Sequence, residues 1–232
     1  MNAGGERASR GRAAADTAAV LFDLDGTLAD TAPDLAHALN TVRAERGLAP
    51  LPFARIRPVV SHGATALIRL GFALTPEDED FEPLRQRLLA VYQDQLTCRT
   101  RLFPGMAELL AELERRNVPW GVVTNKPARL TEPLLAGLGL AQRAACIVSG
   151  DSTPERKPHP APLLHACRLL DRAERHCLYV GDAQRDIEAG RRAGMKTLVA
   201  LFGYLDADDD PAAWQADGLI HHPREVLRWL AA

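Results

Sequence analysis

Cysteine is scarce in this sequence, and no paired cysteine motif occurs. The 232 residues include four cysteines, and none of them stands in a CxxC spacing. Because disulfide frameworks and structural zinc sites draw on clustered cysteines, neither is expected. We interpret the cysteines as small apolar residues of a reduced compartment and predict a cytoplasmic protein.

Long apolar runs and a strong charge excess are also missing. No stretch approaches the ~18 apolar residues of a membrane-spanning helix, so no membrane partner is expected. The formal net charge of -2 offers no basic surface to a polyanion, so no nucleic acid partner is expected either. Residues 1–17 are rich in Ala, Gly and Arg but lack the apolar core of a secretory signal. They are predicted to be a disordered extension.

Short apolar runs that alternate with amphipathic stretches predict a parallel β-sheet. Helical connections bring such runs side by side in one sheet. The helices are predicted at 105–117, 129–139, 161–170 and 183–193. The predicted fold class is therefore α/β, with a Rossmann-like parallel sheet as the core. The predicted strands lie in the segments AAVLFDLD, VPWGVVTN, AACIVSGD, HCLYVGD, MKTLVALFG and DGLIHH.

An inserted all-helical cap domain is predicted between the first two of these strands. Residues 31–100 show helical spacing of their apolar residues and no convincing strand. The core then comprises 18–30 and 101–232, with hinges at 26–33 and 100–104, where turn and helix-breaking residues cluster. Such an insert is suited to close over a site at the sheet edge and exclude water from it.

Two aspartates follow the first predicted strand directly. Asp23 and Asp25 in DLDGT alternate with Leu24, so both carboxylates begin on one face of the strand. Gly26 then permits a sharp turn. Carboxylates this close repel each other unless they share a cation or a proton. Taken alone, the Asp25-Gly26 pair fits an ordinary turn equally well.

A second acidic pair, Asp182 and Asp186, is predicted at the same edge of the sheet. Asp182 closes a later strand, and Asp186 lies in the first turn of the next helix. Helix capping by itself accounts for both acids. It does not account for their meeting Asp23 and Asp25 at the carboxyl ends of parallel strands, where ligands bind. A hard divalent cation would relieve the repulsion, so Mg²⁺ is the predicted cofactor.

Lys157 and the pair Thr124 and Asn125 indicate recognition of phosphate. Lys157 precedes a proline and is predicted at or just before a helix start, where a cation opposes the helix dipole unless an anion binds. A solvated surface lysine is the alternative. Thr124 and Asn125 end a buried strand beside a helix N-terminus, which suits a phosphate group. Thr124 also fits as a simple helix cap.

The order of these motifs resembles the haloacid dehalogenase superfamily, in its phosphoglycolate phosphatase-like branch. The resemblance extends from about residue 18 to the C-terminus, and four motifs in this order are far more specific than any one alone. It implies a phosphatase with a helical cap between its first and second motifs. The motifs are DLDGT at 23–27, Thr124 after an apolar strand, Lys157 before a proline, and GD with Asp182 and Asp186.

The resemblance also implies a role for each motif residue. Asp23 is implied to be the nucleophile that takes the phosphoryl group, and Asp25 the group that protonates the leaving oxygen and then activates water. Thr124 and Lys157 are implied to hold the transferring phosphate. The implied metal set is Asp23, Asp182, the carbonyl group of Asp25, and Asp186 as a ligand or as support for Lys157.

Four further segments resemble the N-acetylmuramic acid 6-phosphate phosphatases of cell-wall recycling: RAERGLAP, SHGATALI, WGVVTNKP and GYLDADDDPAAWQAD. The implied partner is thus a small-molecule phosphate ester that carries a carboxylate, namely N-acetylmuramic acid 6-phosphate. Since the core motifs meet only the phosphate, specificity is expected from the cap loop. The predicted substrate-binding residues are Arg57, His62 and Gly63 in that loop, and Asn125 in the core.

On sequence alone, other functions stay open. Phosphoglycolate also carries a carboxylate, and a phosphoglycolate phosphatase is the first alternative, although Arg185 stands where many of those enzymes have Asn. A sugar phosphomutase, or a non-catalytic sensor of a phosphorylated ligand, would use the same pocket. A dehalogenase of the same superfamily is disfavoured by Asp25. Both a monomer and a homodimer are compatible with the sequence.

Overall fold

The structure is a computed structural model, and it describes residues 18–230 of the chain. The extension predicted over 1–17 lies outside the described residues. Of the helices within 18–230, none combines the length and the apolar character that a bilayer-spanning segment requires.

Each of the six predicted strands forms, and two short strands accompany them. The strands are β1 (Ala19–Phe22), β2 (Ala29–Asp30), β3 (Arg101–Leu102), β4 (Trp120–Val123), β5 (Cys146–Val148), β6 (Cys177–Gly181), β7 (Lys196–Ala200) and β8 (Gly218–Ile220). Every residue of β1 and of β4 is buried. Full burial is typical of central parallel strands that helices cover on both faces.

The main sheet has the strand order β5-β4-β1-β6-β7-β8, and all of its neighbouring strands are parallel. From β1 the chain adds β4 and β5 on one side and then crosses over to add β6, β7 and β8 on the other. The strand order therefore reverses at β1. In sheets of this kind ligands bind in the crevice at the carboxyl ends of the strands beside such a reversal.

The predicted core helices are confirmed, and their ends differ from the prediction by at most two residues. Four more helices lie in the insert. The helices are α1 (Ala32–Glu45), α2 (Phe53–Ile56), α3 (Gly63–Phe72), α4 (Phe81–Gln93), α5 (Met106–Arg115), α6 (Ala128–Gly137), α7 (Ala161–Leu170) and α8 (Gln184–Arg192). A 3₁₀ helix, Arg57–His62, joins α2 to α3.

The chain between β2 and β3 is helical, which confirms the all-helical insert. Helix α1 buries Leu35, Leu39 and Val42, a spacing that places the three side chains on one face. That helix packs against α3 and α4. The insert therefore has an apolar interior of its own, and we call it the cap.

The two segments that connect the core with the cap contact each other. Strands β2 and β3 pair antiparallel there, and they are too short to give a periodic pattern in the sequence. Asp34, a fully buried residue, accepts hydrogen bonds from the backbone N–H groups of Arg99 and Thr100 and from the Thr100 hydroxyl. These contacts hold the entering and the returning chain side by side at the predicted hinges.

Candidate active site

Three polar residues directly follow three adjacent strands at one edge of the sheet. Asp23 follows β1, Thr124 follows β4 and Asp182 follows β6. Because β4 and β6 flank β1, these residues converge, and all three are buried. Buried polar groups need hydrogen-bonding partners or a ligand. The sheet edge is therefore built for a polar function, as predicted.

Lys157 reaches the centre of this edge, and its ammonium is buried. Its three hydrogens go to Asp23 Oδ1 at 2.8 Å, to the Val123 carbonyl at 3.0 Å and to the Tyr179 hydroxyl at 2.7 Å. Asp186 Oδ1 lies in ion-pair contact, also 2.8 Å away. Lys157 is therefore a buried member of the site, and the alternative of a solvated lysine is excluded.

The reason given for Lys157 from the sequence needs correction. Helix α7 begins at Ala161, four residues after Lys157, so the lysine does not stand at the helix start. Its partners are the two carboxylates rather than a ligand that offsets the helix dipole. The helix itself begins at Ala161 as predicted, and Pro158 and Pro160 belong to the loop between Lys157 and the helix.

The charges of the cluster shift several pKa values. Burial raises the pKa of Asp182 to about 7, with contributions from the charges of Asp23 and Asp186. Burial also raises the pKa of Asp23, and the attraction of Lys157 does not offset it. For Lys157, burial acts to lower the pKa, but Asp186 and Asp23 hold it above its ordinary value. The three carboxylates thus outnumber the two cations that attract them, Lys157 and Arg185.

Three carboxylates offer a site for a metal ion. One oxygen from each of Asp23, Asp182 and Asp186 lies within 4.8 Å of the others. Asp186 Oδ1 is buried, and among the described residues its contact is the ion pair with Lys157, with no further hydrogen-bond donor. Oxygen donors with excess negative charge fit a hard divalent cation. The side chain of Asp25 is not part of this group, so of the four predicted metal residues three bring their carboxylates together.

Asp182 is held by contacts from distant parts of the chain. Its Oδ1 accepts from the Thr27 hydroxyl at 3.0 Å, and its Oδ2 accepts from the Ser61 hydroxyl and the Tyr204 N–H, each at 2.9 Å. Ser61 belongs to the cap and was not predicted. The cap therefore contacts the acidic cluster directly.

Gly26 allows the loop after β1 to pass against Asp182. Its φ of 89° favours glycine, and a Cβ at this position would overlap the carboxylate of Asp182 and the ring of Tyr204. The glycine of DLDGT is thus required by its conformation and by the close approach.

Replacing Gly26 by Ala is expected to lower the free energy of unfolding by roughly 3 kcal/mol or more, because strain at positive φ adds to a steric overlap. Gly139→Ala is the matched control, since Gly139 has a φ of 70° but open space around its missing Cβ. The control should lose about 1 kcal/mol. Denaturant unfolding of both variants measures the difference, and equal losses would show that the close approach to Asp182 adds nothing.

Asn125 binds the backbone of Lys157 through both ends of its amide. Its Nδ2 donates to the Lys157 carbonyl, and its Oδ1 accepts from the Lys157 N–H, each at 3.0 Å. Asn125 also lines the cavity, as a substrate-binding residue would. Its amide, however, is engaged in fixing the loop that carries Lys157. The structure thus gives Asn125 a positioning task that the sequence did not indicate.

A cavity of about 530 Å³ lies between this edge of the core and the cap. Asp23, Asp25 and Thr124 line it from the core, and His62 and Gly63 line it from the cap. The cavity therefore brings together three of the four predicted catalytic residues and two of the three predicted cap residues, and the fourth catalytic residue, Lys157, contacts Asp23.

Arg57, the third predicted cap residue, lies outside the cavity lining. Its guanidinium donates to the carbonyl oxygens of Gly203 and Phe202 and stacks on the ring of Tyr204. These contacts bridge cap and core on another side of the closed structure. The expectation that Arg57 contacts substrate is corrected accordingly, because its charge is already engaged by backbone carbonyls.

Of the cavity-lining cations that were not predicted as site residues, two lie beside the acidic residues. Arg185 donates to the Ser61 carbonyl at 2.7 Å and faces Asp186, Asp23 and Asp182, whose charges raise its pKa although burial acts to lower it. Lys126 contacts Asp25. Arg185 directly precedes Asp186 and Lys126 lies two residues after Thr124, but neither stands at a motif position.

The family of the chain follows from a match to a protein family model. The family model described as haloacid dehalogenase-like hydrolase matches residues 20–200. This chain belongs to the haloacid dehalogenase-like hydrolases. The match covers the motif residues after β1, after β4, before α7 and around the start of α8.

Relatives of this haloacid dehalogenase-like hydrolase are phosphatases. The chain is 47% identical over 210 residues to the N-acetylmuramic acid 6-phosphate phosphatase of Pseudomonas putida, which covers 90% of this chain and 94% of that protein. It is 45% identical over 208 residues to a phosphoglycolate phosphatase of Xanthomonas campestris, with 90% and 94% covered. The predicted class of enzyme, a phosphoric monoester hydrolase, is confirmed.

The fold of this family member is also shared with solved structures. A predicted phosphoglycolate phosphatase from Haemophilus somnus 129pt matches with a TM-score of 0.81 and 29% identity, and the match covers 91% of this chain and 96% of that one. The prediction of a Rossmann-like core with a helical cap is confirmed.

Proposed function

We propose that this enzyme is a Mg²⁺-dependent phosphomonoesterase that works through an aspartyl phosphate on Asp23. The observation that carries the proposal is the convergence of Asp23, Asp25 and Thr124 on one cap-covered cavity, with the Lys157 ammonium in contact with Asp23. In this mechanism Asp23 attacks the phosphorus and the ester oxygen leaves. A carboxylate is able to serve as such a nucleophile when its phosphorylated form is then hydrolysed.

Asp25 handles the proton in both halves of the proposed reaction. It lies two residues after Asp23 and lines the same cavity, and its carboxylate accepts hydrogen bonds from Thr31 and Lys126. In the first half it gives a proton to the leaving ester oxygen. In the second half it takes a proton from the water that attacks the aspartyl phosphate.

Thr124 and Lys157 are proposed to hold the transferring phosphoryl group. The Thr124 oxygen accepts from the Lys126 N–H at 3.1 Å, so its own hydrogen is available for a phosphoryl oxygen. The Lys157 ammonium lies beside the nucleophile, where charge develops in phosphoryl transfer. Asp23, Asp182 and Asp186 are proposed to hold Mg²⁺, which when bound supplies positive charge that offsets the phosphate oxygens.

The cap supports the same mechanism by excluding water. Ser61 contacts Asp182 through its hydroxyl and Arg185 through its carbonyl, so the cap loop lies directly over the acidic cluster. Exclusion of bulk water strengthens charge interactions and protects a reactive acyl phosphate. We propose that the cap opens at the hinges 26–33 and 100–104 to exchange substrate and product.

The proposed substrate is N-acetylmuramic acid 6-phosphate. Support comes from the 47% identity to the Pseudomonas putida enzyme of that name. A cavity of about 530 Å³ also has room for a sugar, since it falls in the range of pockets for ligands of that size. Cavity-lining Arg129 and Arg156 offer positive charge to the carboxylate, and His62 and Gly63 complete the wall on the cap side. Phosphoglycolate is the second candidate, because relatives of nearly equal identity bear that name.

A side-by-side measurement of kcat/KM with Mg²⁺ tests the substrate. N-acetylmuramic acid 6-phosphate is expected to be preferred over phosphoglycolate by roughly 10²-fold, because the smaller acid leaves most of the cavity unfilled. p-Nitrophenyl phosphate serves as the control for intact chemistry. A preference for phosphoglycolate would overturn the cell-wall assignment alone. Interconversion of sugar phosphate isomers without phosphate release would indicate a mutase, and no release from any ester would favour a non-catalytic sensor.

A further inference from the structure

Lys126 is a buried lysine beside the candidate acid and base, and the proposed mechanism leaves its charge without a task. Its side chain is 7% exposed. The ammonium donates to Asp25 Oδ1 at 2.8 Å and to the Tyr92 hydroxyl at 3.0 Å, and it lies 4.6 Å from the centre of the Tyr92 ring. Burying a lysine is unfavourable unless its partners compensate, so these contacts define its position.

The main chain of Lys126 is fixed as firmly as its side chain. Its N–H donates to the Thr124 hydroxyl at 3.1 Å. Its carbonyl accepts from the Gly150 N–H at 2.8 Å and from the Thr131 hydroxyl at 3.1 Å. The ammonium therefore extends from a rigid loop of the core, and the carboxylate it contacts is held in one place.

Two donors meet the same oxygen of Asp25. Oδ1 accepts from Lys126 and also from the Thr31 hydroxyl at 2.6 Å. With Oδ1 engaged in this way, the other oxygen of the carboxylate is the one suited to exchange a proton with the leaving group or with water. An acid and base that is held in one orientation transfers protons more efficiently than one that rotates.

Tyr92 connects this arrangement to the cap. It is a fully buried residue of α4, and burial raises its pKa to about 12, so its hydroxyl stays protonated at neutral pH. Lys126 thus contacts Asp25 on the core side and Tyr92 of the cap on the other side. When the cap moves away, Lys126 loses Tyr92 as a partner and its position above Asp25 is no longer enforced.

We propose that Lys126 is a positioning residue, which orients Asp25 for proton transfer and, through Tyr92, makes that orientation depend on the closed cap. The inference rests on the proposed phosphatase mechanism and deepens it. If Lys126 merely joined cap and core, its removal would affect every substrate alike. If it orients Asp25, its removal must affect the substrates that depend most on protonation of the leaving oxygen.

Two phosphate esters of similar size separate these roles. The leaving group of benzyl phosphate is an alkoxide, which needs a proton as it departs. The leaving group of p-nitrophenyl phosphate is a stable phenolate, which needs little protonation. Lys126→Met keeps the length of the side chain and removes the charge. We expect this variant to lose roughly 10²-fold in kcat/KM on benzyl phosphate and much less on p-nitrophenyl phosphate. The ratio of the two values is unaffected by any inactive fraction of the protein.

Arg57→Met is the matched control, because it removes a cation that bridges cap and core without contacting Asp25. This variant should lower kcat/KM on benzyl phosphate and on p-nitrophenyl phosphate by the same factor. Tyr92→Phe keeps the ring and removes the hydroxyl. We expect it to lower kcat/KM on benzyl phosphate more than on p-nitrophenyl phosphate, as Lys126→Met does, but by a smaller factor. A wild-type ratio in Lys126→Met would overturn the inference while leaving the phosphatase mechanism intact, and a wild-type ratio in Tyr92→Phe would overturn its cap-dependent part. A wild-type enzyme that releases no phosphate from these two esters or from N-acetylmuramic acid 6-phosphate would overturn the proposed function itself.

Discussion

Asp23→Asn is expected to lower kcat by roughly 10⁶-fold, the loss typical of removing a covalent nucleophile. The amide oxygen of Asn is a poor nucleophile, and the phosphoryl group then has no acceptor in the protein. Folding is expected to be retained, because the variant neutralises one of three clustered carboxylates and Asp186 stays in ion-pair contact with Lys157. The loss of activity is therefore chemical and not a consequence of unfolding.

Phosphate release from p-nitrophenyl phosphate in the presence of Mg²⁺ measures the loss of activity. Thermal unfolding measures whether the fold is retained. Asp171→Asn is the control, since it makes the same chemical change at an exposed residue after α7. Its φ of 51° suits Asn as well as Asp, so activity and stability should match the wild type. Substantial turnover in Asp23→Asn would mean that water attacks the substrate directly and that no aspartyl phosphate forms.

The strands of the core were predictable because each is a short apolar run bounded by polar residues. In β1 and β6 the run ends directly at an aspartate, Asp23 and Asp182, so the same pattern located both the strand and the site. The pair β2 and β3 was not predictable. Two residues have no periodicity, and the pairing depends on Asp34, whose contacts with Arg99 and Thr100 join chain segments 65 and 66 residues apart.

The core of the candidate site was predictable for a related reason. Parallel strands bring their carboxyl ends to one edge, so residues after β1, β4 and β6 had to meet. The cap contacts follow no such rule. Ser61 reaches Asp182 across 121 residues of sequence, and the direction in which a loop side chain points depends on packing that a single sequence does not encode locally. The same reason explains why His62 lines the cavity while Arg57 points to Gly203.

Lys157→Met is expected to lower the free energy of unfolding by about 3–5 kcal/mol, the loss typical of removing one partner from a buried ion pair. Its ammonium contacts Asp23 and Asp186, and without it their carboxylates and that of Asp182 are left buried together. The three carboxylates then lose one of the two cations that face them, Lys157 and Arg185, and repel each other more strongly. Denaturant unfolding with a metal chelator present measures the effect, because a bound cation would replace the missing charge.

The double variant Asp23→Asn/Lys157→Met decides whether charge or packing is responsible. If repulsion among the carboxylates causes the loss, removing one of them should restore part of the stability, and the two changes will not be additive. Arg143→Met is the control, because it breaks an exposed pair with Glu114 and should lose at most about 1 kcal/mol. Additive losses in the double variant would contradict this account. They would mean that Lys157 stabilises the fold through its contacts with Tyr179 and Val123 and not by balancing the acidic cluster.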